Sequence, residues 1–177
     1  MAKCSASIVA GTRLGLPGLA GAILGCISAP AMGATLQKAF VPTIIGAGGT
    51  TELRFTVTNP AGSMARGDLG IMDTLPTGLR VANPPSVSGT CVNAAAATIA
   101  NGGGTTISIF NLQVSDGESS CTVTVRVTNA PGQYNANCGP QPAAFTNSAS
   151  NVSVTNLTNG VSPSCLIVDR IFANAFE

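Results

Sequence analysis

The chain has 177 residues, of which 45% are hydrophobic and only 8% charged, with a formal net charge of +1 and no histidine. So weak a charge offers no basic field for nucleic acid or anionic lipid. The missing histidine removes the commonest general base and metal ligand. The length suits one domain with short appendages.

The first residues read as an export signal. Lys3 and Arg13 form a positive start, Leu14 to Ser28 a short apolar run, and Ala29 to Ala34 a small-residue processing site. Cleavage is expected after Gly33 or Ala31, giving a signal peptide over 1–33. A competing signal is the Ile23–Cys26 stretch, which resembles a lipoprotein box with Cys26 as the lipidated residue. Beyond residue 34 no apolar run reaches the ~18 residues of a spanning helix, so no transmembrane segment is expected in the mature chain. Removal of residues 1–33 leaves six basic and seven acidic residues, a formal charge of −1.

Residues 34–168 read as short strands and turns. The two strongest strands are Leu53–Thr58 and Cys121–Thr128, which alternate apolar and polar residues with period two. Weaker strands are expected at Phe40–Ile45, Leu69–Asp73, Ser86–Val92, Thr106–Phe110, Ala144–Ala149, Val152–Asn156 and Cys165–Val168. Between Ile109 and Phe110 the apolar phase slips, which predicts a bulge or turn. Asn93–Asn101 has alanines suited to a helix but is short and lacks a polar face. In Asp73–Gly78 the aspartate reads as a turn cap and Gly78 as a positive-φ position. Pro84 and Pro85 mark a sheet edge. About seven to nine short strands in one domain predict an all-β, immunoglobulin-like antiparallel sandwich.

Four cysteines follow residue 34: Cys91, Cys121, Cys138 and Cys165. Their even number in an exported chain predicts disulfides. Three pairings are possible. Local loops of about 30 residues favour Cys91–Cys121 and Cys138–Cys165. Zinc is disfavoured without histidine or a Cys-x-x-Cys pair.

Three ordered landmarks carry a family resemblance. Lys38–Pro60 has a Lys-x-Phe-x-Pro opening, a Gly-Gly turn and a strand ending in Thr-Asn-Pro. Met72–Cys91 and Ser119–Thr128 follow. Together they resemble the DUF11 or "conserved repeat domain" type of bacterial surface domain, over about Lys38 to Val168. The resemblance implies an immunoglobulin-like sandwich in an exported surface protein, with no catalytic residues to carry over. Cys138, Cys165 and the single copy depart from that pattern.

Candidate sites are few. Asp68 and Asp73 are close enough in sequence to suggest an acid pair, which a cleft with Arg80 would strengthen into a hydrolase. The alternative places Asp68 at the end of a loop. Asp116 and Glu118 offer too few oxygens for a built calcium site. Tyr134 reads as a corner residue of the sandwich. Asn151 and Asn156 begin glycosylation sequons that are expected by chance in so Asn- and Ser-rich a chain. The tail, residues 169–177, carries Asp169, Ile171, Phe172, Phe176 and Glu177. It reads either as a sorting or strand-adding peptide or as a segment folded back on the sandwich. The sequence thus predicts a non-enzymatic exported structural or adhesive surface module of a bacterium that contacts other surface or envelope proteins, without cofactor or nucleic acid. A lipid-anchored protein or assembly subunit is the alternative.

Overall fold

A computed structural model describes residues 33–60, 64–139 and 145–170. The signal peptide expected over 1–33, Cys26 and the tail beyond Arg170 lie outside the described residues, apart from Gly33. Fourteen strands appear in chain order: β1 Thr35–Val41, β2 Ile44–Gly46, β3 Thr50–Thr58, β4 Arg66–Thr74, β5 Leu79–Val81, β6 Ser88–Gly89, β7 Thr98–Ala100, β8 Thr106–Val114, β9 Ser120–Asn129, β10 Thr146–Asn147, β11 Val152–Thr155, β12 Thr158–Asn159, β13 Ser164–Cys165 and β14 Ile167–Asp169. One helical turn, α1 Ala94–Ala97, precedes β7, and a 3-10 turn spans Ala149–Asn151.

Two sheets make the sandwich. One runs β12-β1-β3-β9, with β5 and β6 sharing the outer edge of β9; the other runs β11-β4-β8-β7. The centre of the first is β3 against β9, nine residues in antiparallel register from Thr50 opposite Thr128 to Thr58 opposite Ser120. Alternation drives this pairing. Leu53, Phe55 and Val57 meet Val125, Val123 and Cys121, all buried on the inner face. Leu69, Ile71, Ile107, Ile109 and Leu112 supply the facing layer, and both layers belong to one core. Each such side chain contributes about 1.5–3 kcal/mol of transfer free energy.

The apolar phase slip falls at a bulge. Phe110 and Asn111 both face outward, Asn111 has φ 54°, and the register against β4 shifts between Leu69 and Ile71. Other boundaries differ from the sequence reading. The strand expected at Phe40–Ile45 starts at Thr35 and breaks after Val41, where Pro42 has no N–H to continue the ladder. The stretch 86–92 keeps only Ser88–Gly89 as strand. Leu166 interrupts the last strand, turning its N–H to Phe145. Ladders are not antiparallel throughout: β1 pairs parallel with β12 and β2 parallel with β14.

Pro84 and Pro85 lie where the edge ladder of β9 is interrupted between β5 and β6. The Ala82 N–H still bonds the Arg126 carbonyl, and the Arg126 N–H bonds the Pro85 carbonyl. Gly89 lets β6 approach closely, since a Cβ there would lie 2.1 Å from the Thr122 carbonyl oxygen. That same oxygen accepts the N–H groups of Thr90 and Cys91. Gly89→Ala is therefore expected to push β6 off β9 and cost about 1–3 kcal/mol, read as a lower thermal midpoint.

Candidate functional site

Strand phase puts a charge into each half of the core. On β1, Leu36, Lys38 and Phe40 point inward, and on β4 and just beyond it Ile71, Asp73 and Leu75 do the same. Lys38 lies opposite Phe55, and Asp73 opposite Ile107 and Val152, so apolar neighbours surround both. Neither side chain has any exposed surface. Nζ of Lys38 donates to Oδ2 of Asp73 at 2.5 Å.

Asn147 on β10 completes the group and is also fully buried. Its Oδ1 accepts from Lys38 Nζ, while its Nδ2 donates to Asp73 Oδ1 at 2.9 Å and Oδ2 at 3.2 Å. Asn147 is aimed inward by its neighbours. Phe145, two residues earlier, fills the core, and its ring edge lies where a Cβ on Gly78 would come within 2.4 Å. Gly78, at φ 96°, thus makes room for the segment that carries Asn147. The β10–β13 pairing, Asn147 opposite Ser164, holds it from the other side.

Burial pushes the Asp73 carboxyl above its ordinary range, while the Lys38 charge and hydrogen bonds from Lys38 and Asn147 pull it back. Burial likewise pushes the Lys38 amine down, against the attraction of Asp73. Both shifts have the same origin, the cost of charge in a dry interior, and both favour the neutral acid and amine.

This geometry corrects the reading of Asp73. It is not a turn cap, and it forms no acid pair, because Asp68 is exposed on a bulged part of β4 with φ 55°. Asp68 is within that strand and does not end a loop. Arg80 does not join them either; it lines an open depression of about 430 Å³ with Gly48, Asn83, Gly102 and Thr128. Lys38 and Asn147 were missed as site residues. The available signal was a lysine in the inward phase between Leu36 and Phe40.

The other candidates are placed as follows. Cys91 is bonded to Cys121 across the β6–β9 side of the core, and Cys138 to Cys165 near the last strands. Asp116 and Glu118 occupy an exposed turn, and among the described residues no group of three or more His, Cys, Asp or Glu is arranged to hold a metal. The Tyr134 ring packs on the core beneath the Arg170 guanidinium, 4.3 Å from its centroid. The Asn151 and Asn156 amides donate to the carbonyls of Thr74 and Asp68. Asp169, assigned to the tail in sequence, ends β14, because its carbonyl accepts the Ala47 N–H. Ile171, Phe172, Phe176 and Glu177 lie outside the described residues.

No helix among the described residues is long and apolar enough to cross a membrane. A comparison with curated proteins found no match. Among solved structures, the seventh ScaB type I cohesin of Pseudobacteroides cellulosolvens aligns at 13% identity and a TM-score of 0.40, covering 77% of this chain and 93% of that one. A likeness at that level carries no functional inference. The family model described as a domain of unknown function, DUF7933, matches residues 34–168, which is most of the chain, and the protein belongs to that family.

Proposed function

We propose that this protein is a non-enzymatic, exported structural module of the bacterial envelope or surface, working by display and contact with other envelope proteins. One observation carries the reading. The buried, perturbed acid and amine, Asp73 and Lys38, are sealed in the core where no outside substrate can reach them. Groups perturbed for catalysis on an outside substrate cluster at clefts open to it. Two disulfides fit an oxidising compartment. The landmarks resembling DUF11-type surface domains and the expected signal over 1–33 agree with export.

The test is fractionation of expressing cells, with protease shaving of the intact surface and intact mass of the recovered chain. Export predicts a chain shortened near Gly33 or Ala31 and found outside the inner membrane. Recovery of the full-length chain from the cytoplasm with free thiols would refute the reading. A lipid mass on Cys26 would instead identify the anchored form.

A further inference from the structure

The Lys38–Asp73–Asn147 group is arranged for chemistry on itself. Nζ of Lys38 contacts Oδ1 of Asn147, so the amide carbon Cγ lies only one carbonyl length, about 1.2 Å, beyond that atom. Asp73 touches both nitrogens that such a reaction would involve. Its Oδ2 is 2.5 Å from Nζ, and its Oδ1 is 2.9 Å from Nδ2 of Asn147. We propose that Lys38 and Asn147 become joined by an amide bond formed within the folded chain, with Asp73 as the catalytic proton carrier. The proposal does not depend on where the protein is located.

The step balances without any co-reactant. Nζ, as a free amine, attacks Cγ of Asn147 and the new N–C bond forms. A proton passes from Nζ to Oδ2 of Asp73, while the carboxyl proton on Oδ1 passes to Nδ2. The Cγ–Nδ2 bond breaks, ammonia leaves, and Asp73 ends as the acid it began as. The downward shift of Lys38 and the upward shift of Asp73 both favour the starting protonation.

Three features of the fold support the reaction over a static ion pair. Leu36, Phe40, Phe55 and Ile107 keep the site dry, so water does not compete with the amine. The partners come from separate strands, β1, β4 and β10, so the arrangement exists only after folding. Holding nucleophile and carbonyl in contact gives the high effective concentration of an intramolecular reaction. The reaction happens once per chain and turns over no external substrate, which is compatible with a non-enzymatic module.

Peptide mapping of the full chain, purified from its expression host and reduced before digestion, tests this. The expected result is a branched peptide joining the Lys38 and Asn147 segments, lighter than their sum by one ammonia, with no tryptic cleavage after Lys38. The branch distinguishes the link from loss of ammonia by asparagine cyclisation, which leaves the peptides separate. Separate peptides from folded wild-type protein, with Lys38 cleavable by trypsin, would overturn the proposal. Asp73→Asn, checked for native circular dichroism, is expected to yield separate peptides of full mass. A branched peptide from that folded variant would overturn the role of Asp73. If the variant does not fold, the wild-type map still decides whether the bond forms. Lys38→Arg keeps a cation but cannot form this bond, and is expected to restore both peptides.

Discussion

Lys38→Met is expected to lower the unfolding free energy by about 3–5 kcal/mol, because it strands Asp73 in an apolar core. Denaturant titration with both disulfides intact measures this as a lower midpoint at unchanged slope. The loss has a pH signature whose sign can be derived. In the variant, the burial that raises the Asp73 pKa remains, while the Lys38 charge that lowers it is gone. The folded pKa therefore stays above the ordinary value of 3.8. As pH rises, the unfolded chain releases its proton first. Stability is fully present below 3.8 and is lost as the pH climbs through the folded pKa. Changing Lys38 to Met, Asp73 to Leu and Asn147 to Leu together removes every stranded polar group. That triple variant is expected to regain stability over Lys38→Met and to lose this pH dependence. A triple variant as unstable as the single one would show that lost packing or the lost Lys38–Asn147 link, and not the buried charge, sets the loss.

Replacing Cys91 and Cys121 together by Ala is expected to cost about 3–4 kcal/mol on the chain-entropy view of a loop of this length. The separation is 30 residues, and both sulfurs are buried, so lost packing adds to the entropic term. Thermal unfolding under non-reducing conditions reads the change. The two bridges should also differ in access. Cys138 is exposed, whereas Cys91 and Cys121 are buried. Thiol–disulfide exchange needs a route to the sulfur. Mild reductant under native conditions should therefore open Cys138–Cys165 first, which alkylation and mass analysis would detect. Equal rates at both bridges would show that global unfolding governs reduction.

The central strands were legible because their sequences obey one rule without exception. Leu53, Phe55 and Val57 alternate with polar residues, and Cys121, Val123, Val125 and Val127 do the same. The start of β1 was obscured by the residue that matters most in it. A lysine between Leu36 and Phe40 breaks the apolar phase, so in sequence the pattern begins only at Phe40. The strands β5 and β7 have three residues each, too few for any periodicity to show. The helical turn at Ala94–Ala97 gives way at once to a strand, where β-branched Thr98 and Ile99 extend the backbone to pair with β8. Asp73 reads as a turn residue in sequence and is a core residue in the fold. The turn residues that follow it suggested a cap, while its parity with Ile71 and Leu75 pointed into the core. Its partners lie 35 and 74 residues away, and only the packing of one sheet on the other brings them together.

The two parallel pairings bear on how the domain carries tension. Strand β2 lies beside β14, and β1 beside β12, with each pair running in the same direction. Opposed pulls at the start of β1 and the end of β14 would load these pairs lengthwise. Their hydrogen bonds would share the load, whereas an antiparallel hairpin opened from its end gives them up one at a time. A covalent link between Lys38 and Asn147 would change the route of the force. Tension entering at Thr35 would cross to β10 at the second turn of the pleat, before reaching β2 or β3. The interior of the sandwich, from β3 to β9, would then be spared extension, and the load would fall on the segment from Asn147 to Asp169.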